Sequence, residues 1–364
     1  MNAQAMLGRS GDSMATPIGI IEGYYGRPWS WPERTASMQV LARHGYGFFL
    51  YAPKADAHLR KRWREPYPAE QLAELTRFAE ACRDEGVTFG VGLSPYELYL
   101  GFNAAAREDL DRRLSMLAEA GVRWLAILFD DMRGDVPGLA ASQADILHWI
   151  ADRGTFERLI LCPTYYTDDP VLDRVFGHRP VDYLETLGRI LDPAIDLFWT
   201  GEEVCAREIG VGHLKHVTGL LGRKPMLWDN YPVNDGPHMS SHLHLRAFTG
   251  RPAAIGTHLR AHAVNPALQP TLSLIPALTL VESYQRGEDY AYGDAFRRAA
   301  IAVAGEELGV RLWRDLHMLH DTGLEAAGPF ADRLRQRYGR YDHPAAREVL
   351  AWLDGAYRFT TLED

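Results

Sequence analysis

The sequence predicts an α/β chain: a closed (β/α)8 barrel followed by a small helical region. Three observations carry that prediction. Eight short apolar runs lie between residues 17 and 265 with amphipathic stretches between them. Most of the runs are continuously apolar rather than alternating, as strands covered on both faces must be. After about Pro270 the strand-like runs stop, while helical periodicity continues. The length of 364 residues accommodates one barrel of about 250 residues with an appendage.

Residues 1–16 read as a flexible leader, small and polar, without the basic stretch and apolar run of a secretion signal. Residues 17–268 read as the barrel. Its expected strands are IGIIEG from Ile18, YGFFLY from Tyr46, VTFGVG from Val87, VRWLAIL from Val122, RLILCP from Arg158, IDLFWT from Ile195, PMLWD from Pro225 and AAIG from Ala253. Between the second and third runs, Leu72, Leu75, Phe78, Ala79 and Cys82 fall at helical spacing and Gly86 is placed to stop the helix. The segment NAAAREDLDRRLSMLAEAG ends in the same way at Gly121, its charge run reading as a solvated face. Residues 269–364 read as a helical annex, from SLIPALTLVESYQ through FADRLRQRYGRY to AAREVLAWLDGAYRF.

A net charge of -9 and a pI near 5.9 exclude a large basic footprint, so neither nucleic acid nor an anionic membrane is an expected partner. The three cysteines, Cys82, Cys162 and Cys205, are far apart and form no CxxC pair, which argues against a disulfide framework or a thiolate zinc site. No apolar run approaches 18 residues. The chain is expected to be soluble, cytoplasmic and free of cofactor. The aromatic-rich annex is free to pack on its own barrel or on a second subunit, so monomer and homodimer both stay open.

Barrel enzymes place catalytic groups at the C-terminal ends of strands and on the loops that follow. Here those positions hold Glu22 and Gly23, Lys54, Asp130 and Asp131, Tyr165 and Tyr166, Thr200, and Trp228 to Asn230, and their side chains are expected to converge on one mouth. Asp130 and Asp131 carry the sharpest signal. Two adjacent carboxylates after the apolar run WLAILF stand where charge is costly unless it is used, and mutual repulsion splits such a pair into one acid and one anion. The plain alternative is a helix N-cap or an ion pair with Arg133. Metal chemistry competes, because His242 and His244 form an HxH with His258 and His262 further on. The HxH falls in the polar loop HMSSHLHLR rather than at a strand end, so no metal site is expected. No GxGxxG, GxxxxGK[ST] or GxSxG frame is present.

Taken in order, GIIEGYYGRPWSWPER, YAPKADAHLRKRWRE, LFDDM, LCPTYY, LFWTGEEVCAREI, LWDNYPVND and AVNP resemble glycoside hydrolase family 84, the β-N-acetylglucosaminidases that include O-GlcNAcases. The seven segments run from about residue 19 to 266. The resemblance implies a retaining exo-enzyme that cleaves terminal β-linked GlcNAc from a glycoconjugate or glycoprotein. Its catalysis would be substrate-assisted, the sugar's 2-acetamido oxygen taking the place of a protein nucleophile and forming an oxazoline intermediate. By the same resemblance Asp130 orients and polarises the acetamido group, and Asp131 is the general acid and base. Tyr166, Trp228 and Asn230 surround the acetamide. Asp235 and Asn265 bind the outer hydroxyls, and Gly23 (through its backbone) and Lys54 the remaining ring hydroxyl. Taken singly, each has a plainer reading: Trp228 as core packing, Gly23 as a tight turn, Lys54 as a partner of Asp56, and Asp235 and Asn265 as turn residues. The sequence departs from the family at Ala55, where many relatives carry a second acid after YAPK, and at Tyr24 and Tyr165. A non-catalytic GlcNAc-binding protein and a metal-dependent barrel hydrolase are the competing readings.

Overall fold

Eight parallel strands close on themselves in sequence order: β1 (Ile18–Glu22), β2 (Tyr46–Tyr51), β3 (Thr88–Leu93), β4 (Trp124–Leu128), β5 (Arg158–Cys162), β6 (Asp196–Trp199), β7 (Met226–Asp229) and β8 (Ala261–Val264). The first and last strands pair through Ile18 with His262, Gly19 with Ala263 and Ile20 with Val264, which seals the barrel. The structure, a computed structural model, describes residues 16–359. The leader expected over residues 1–16 lies outside the described residues except for Thr16. Nearly every strand residue is buried, because side chains on one face fill the barrel and those on the other meet helices.

The helices that clothe the barrel are α1 (Trp31–Arg43), α2 (Ala69–Asp84), α3 (Ala104–Glu119), α4 (Leu139–Ala151), α5 (Val171–Phe176), α6 (Tyr183–Ile190), α7 (Val211–Leu221) and α8 (Pro270–Arg286). Their starts follow from local chemistry. Ser30 and Glu33 form a reciprocal capping box around a proline in the first turn of α1, and the Asn103 side chain accepts from Ala106 N at the start of α3. Leu75, Phe78, Ala79 and Cys82 are the buried face of α2.

One expected strand is misplaced. AAIG from Ala253 is a 3-10 turn (Ala253–His258), and the eighth strand is AHAV, eight residues later. His262 interrupts its apolar run, yet that imidazole is fully buried, with Nε2 2.9 Å from Asp229 Oδ2 and Nδ1 2.9 Å from the Tyr284 hydroxyl. A buried polar side chain is tolerated where partners satisfy it.

Beyond α8, which packs on α1, come α9 (Tyr292–Leu316), a π-helical stretch (His317–Thr322), α10 (Gly323–Ala327), α11 (Phe330–Tyr338) and α12 (Pro344–Leu353). Gly305, whose φ of 78° lies in the left-handed region, breaks α9 into two segments that meet at Ala300 and Gly309, and α9 packs on α8. The Glu348 carboxylate on α12 accepts from Thr271 N and Leu272 N, both at 2.8 Å, which clasps the annex to the free N–H groups of α8. No described helix is long and apolar enough to cross a membrane.

Candidate active site

The pleat of each strand decides which strand-end residue faces inward. Asp130, Asp131, Gly23, Lys54, Tyr166, Trp228, Asn230, Asp235 and Asn265 all line one cavity at the C-terminal mouth of the barrel. Three other strand-end residues turn away. Glu22 is buried in an ion pair with Arg34, Asp229 in one with Arg251 and His262, and the Tyr165 hydroxyl donates to Gly177 O. Every strand except β3, or the loop after it, supplies a lining residue.

The two aspartates share one cation. Lys54 Nζ is in direct contact with Asp130 Oδ2 and stands 3.3 Å from Asp131 Oδ2, so it pairs with neither Asp56 nor bulk water. Arg133 pairs at the surface with Asp135 instead. Asp130 is 6% exposed, and its second oxygen, Oδ1, is buried without a hydrogen-bond partner. Asp131 reaches further toward solvent and accepts from the Tyr25 hydroxyl at 2.5 Å. Its φ of 56° is a left-handed conformation that side-chain-bearing residues adopt at a cost, one typical of functional sites.

These surroundings push the two acids apart. Burial raises the pKa of Asp130, as does the charge of Asp131, and Lys54 offsets this only in part. Burial acts upward on Asp131 too, but Lys54, the Tyr25 hydroxyl and Arg60 outweigh it and hold Asp131 low. The two carboxylates therefore titrate as a pair, with Asp130 pushed up and Asp131 held down. Burial lowers and the two carboxylates raise the Lys54 pKa, with a net upward shift, so this lysine stays charged.

An amide network builds the opposite wall. Asn230 Oδ1 accepts from Trp228 Nε1 at 3.0 Å and from Asn265 Nδ2 at 2.9 Å, while Asn230 Nδ2 donates to Val204 O at 2.8 Å. Asn265 Oδ1 in turn accepts from Gly23 N at 3.1 Å. Asp235 accepts from Tyr25 N at 2.7 Å, and burial raises its pKa. Tyr166 is buried beside Thr200, whose N–H donates to Tyr166 O at 3.0 Å.

Six further residues line the cavity: Tyr25, Cys162, Thr200, Val204, Cys205 and Val233. Thr200 was legible as a strand end. Cys162 was hidden as the last apolar residue of its strand, and the others come from loops whose path no periodicity reveals.

His242 and His244 are each tied to a backbone carbonyl. His242 Nδ1 lies 2.9 Å from His320 O in the annex and His244 Nδ1 2.8 Å from Val233 O, so the loop is packed under the annex rather than solvated. Among the described residues no group of three or more His, Cys, Asp or Glu side chains is placed to hold a metal ion.

Residues 18–313 match the family model described as beta-N-acetylglucosaminidase. The chain is similar to the mouse and rat proteins named Protein O-GlcNAcase, each 30% identical over 292 residues that cover 78% of this chain and 31% of the relative. It thus spans about a third of the length of those curated relatives. A solved structure of a mutant Thermobaculum terrenum O-GlcNAc hydrolase superposes with a TM-score of 0.78 at 29% identity, covering 93% of this chain and 80% of that one.

Proposed function

The chain belongs to the beta-N-acetylglucosaminidase family of glycoside hydrolases, and from that premise we propose that it releases terminal β-linked GlcNAc with retention, the sugar's own acetamido group acting as nucleophile. One observation carries this reading: Asp130 lines the cavity with a buried carboxylate whose second oxygen, Oδ1, has no protein donor. An acetamido N–H is the donor that such an acceptor fits. Trp228 offers an apolar wall for the acetyl methyl, and no third carboxylate is needed as nucleophile.

In this reading the acetamido oxygen attacks C1 as the bond from C1 to the leaving oxygen breaks, and the proton of Asp131 passes to that oxygen. Asp130 holds the N–H of the cyclised ring and stabilises its positive charge. Asp131 then takes a proton from water as the water oxygen attacks C1 and the ring reopens. Substrate reverses the order of acidity in the pair. The amide N–H favours ionised Asp130, and the sugar strips water from Asp131, raising its pKa to suit an acid. Asp235, Asn265, Lys54 and the Gly23 carbonyl hold the ring hydroxyls, while Tyr166 and Asn230 border the acetamide. The substrate is a GlcNAc-bearing protein or a smaller glycoconjugate, met in the cytoplasm.

The test compares aryl β-GlcNAc with the matching 2-hydroxy and 2-deoxy glycosides, with and without chelator. Turnover should require the 2-acetamido group and ignore the chelator. Equal turnover of all three sugars overturns substrate assistance, and activity lost to chelator and restored by zinc returns the metal reading. Tight binding of a GlcNAc-thiazoline without any turnover would instead mark a binding protein.

A further inference from the structure

Tyr25, which no strand-end argument selects, is held from four directions. Its N–H donates to Asp235 and its hydroxyl to Asp131 Oδ2 at 2.5 Å; its phenol oxygen accepts from Arg60 Nη2 at 3.3 Å. Because Arg60 can only donate, it turns the phenol hydrogen toward Asp131. The fourth support comes from far along the chain. After α12 the backbone returns to the barrel mouth, and the Phe359 ring lies 6.3 Å from the Tyr25 ring at 57°.

That return is itself anchored. Phe359 N–H donates to Ser240 Oγ at 3.1 Å, Tyr357 is buried, and the Arg27 guanidinium lies 5.6 Å from the Tyr357 ring centre. Phe359 does not line the cavity, so it touches the chemistry only through Tyr25.

We infer that Phe359 is a positioning residue for proton transfer by Asp131, backing the Tyr25 ring so that its hydroxyl stays on the carboxylate. The inference rests on the glycosidase reading above and extends it to the annex, which thereby contributes to the chemistry as well as to stability. A hydrogen bond to the ionised carboxylate favours that form. Freeing the Tyr25 ring therefore raises the pKa of Asp131, and the alkaline limb of the kcat profile, where the acid of the substrate complex loses its proton, moves to higher pH.

The experiment measures pH profiles on an aryl β-GlcNAc for the wild type, Phe359→Ala, Phe359→Tyr and Tyr25→Phe, and for the Phe359→Ala, Tyr25→Phe double variant. Crystal structures of the wild type and Phe359→Ala accompany them. Phe359→Ala should shift the alkaline limb upward by about one pH unit, with KM for the sugar changed less than about twofold. Phe359→Tyr should restore the wild-type limb, and the double variant should shift no further than Tyr25→Phe alone. An unmoved limb in Phe359→Ala, a further shift in the double variant, or a Tyr25 hydroxyl still on Asp131 in the Phe359→Ala crystal overturns the inference. A wild type without turnover overturns the glycosidase reading instead.

Discussion

The indole of Trp228 fills the space over Gly23: a β-carbon on that glycine would stand 2.0 Å from Cζ2 of the ring. The contact fixes one edge of the cavity, and the Gly23 N–H bond to Asn265 ties the same edge to β8.

Gly23→Ala must therefore displace Trp228. Calorimetry with a GlcNAc-thiazoline should show at least tenfold weaker binding, and kcat/KM for aryl β-GlcNAc should fall in step. Overpacking should cost about 1–3 kcal/mol of stability in denaturant titration. A variant that binds as tightly as the wild type would show that the edge does not shape the acetamide site.

The division of labour between the two aspartates predicts two different leaving-group patterns. Asp131→Ala should lose about 10²- to 10⁴-fold on poor leaving groups and much less on nitrophenyl-type ones, which depart without a proton. Asp130→Ala should lose activity on all of them. Steady-state kinetics over a series of aryl glycosides reads the slopes, and parallel losses in both variants would reject the assignment.

The packed imidazoles predict a stability slope. Burial pulls His244 and His320 down to about 4 each, and His320 Nδ1 accepts from Leu245 N at 3.0 Å, a bond that protonation would break. The unfolded chain binds these protons first, so stability is lost as pH falls from about 6.5 toward 4, by at most about 1.4 kcal/mol per unit for each histidine. Glu348 works with the opposite sign. Burial raises it to about 7, so its contribution is present at low pH and fades as pH rises from its unfolded value toward 7. The measurement is therefore a difference: His320→Asn, which keeps an acceptor and cannot charge, should melt with a shallower acid fall than the wild type.

Removing the clasp on α8 is a separate matter. Glu348→Ala leaves two buried N–H groups without their acceptor and should destabilise the fold by about 1–3 kcal/mol in denaturant titration. Glu348→Gln should recover only part of that loss, because its single carbonyl oxygen accepts from one N–H while its amide nitrogen, a donor, faces the other. A neutral Glu348→Ala would mean that α12 is held by its apolar face alone.

Much of this architecture is legible in the sequence because a strand covered on both faces must be apolar throughout, which marks seven of the eight strands at their positions. β8 escaped because His262 breaks its run, and the groups that satisfy that imidazole, Asp229 and Tyr284, lie 33 positions before it and 22 after it. The cavity residues named from the motifs lie together, yet Glu22, Tyr165 and Asp229 show the limit of strand-end reasoning. A single step along the pleat sends a side chain into the helical layer, and sequence order alone does not give the phase. Tyr25 and Phe359 illustrate a harder case. Their meeting depends on a chain return of more than 330 residues that no local pattern encodes.

β3 gives the cavity nothing, and the loop after it carries exposed Tyr96 and Leu100. That sector is accordingly the place where the protein can be altered without touching the cavity: a tag, a fluorophore or a grafted recognition segment between Tyr96 and Glu97 would leave the residues that line it in place.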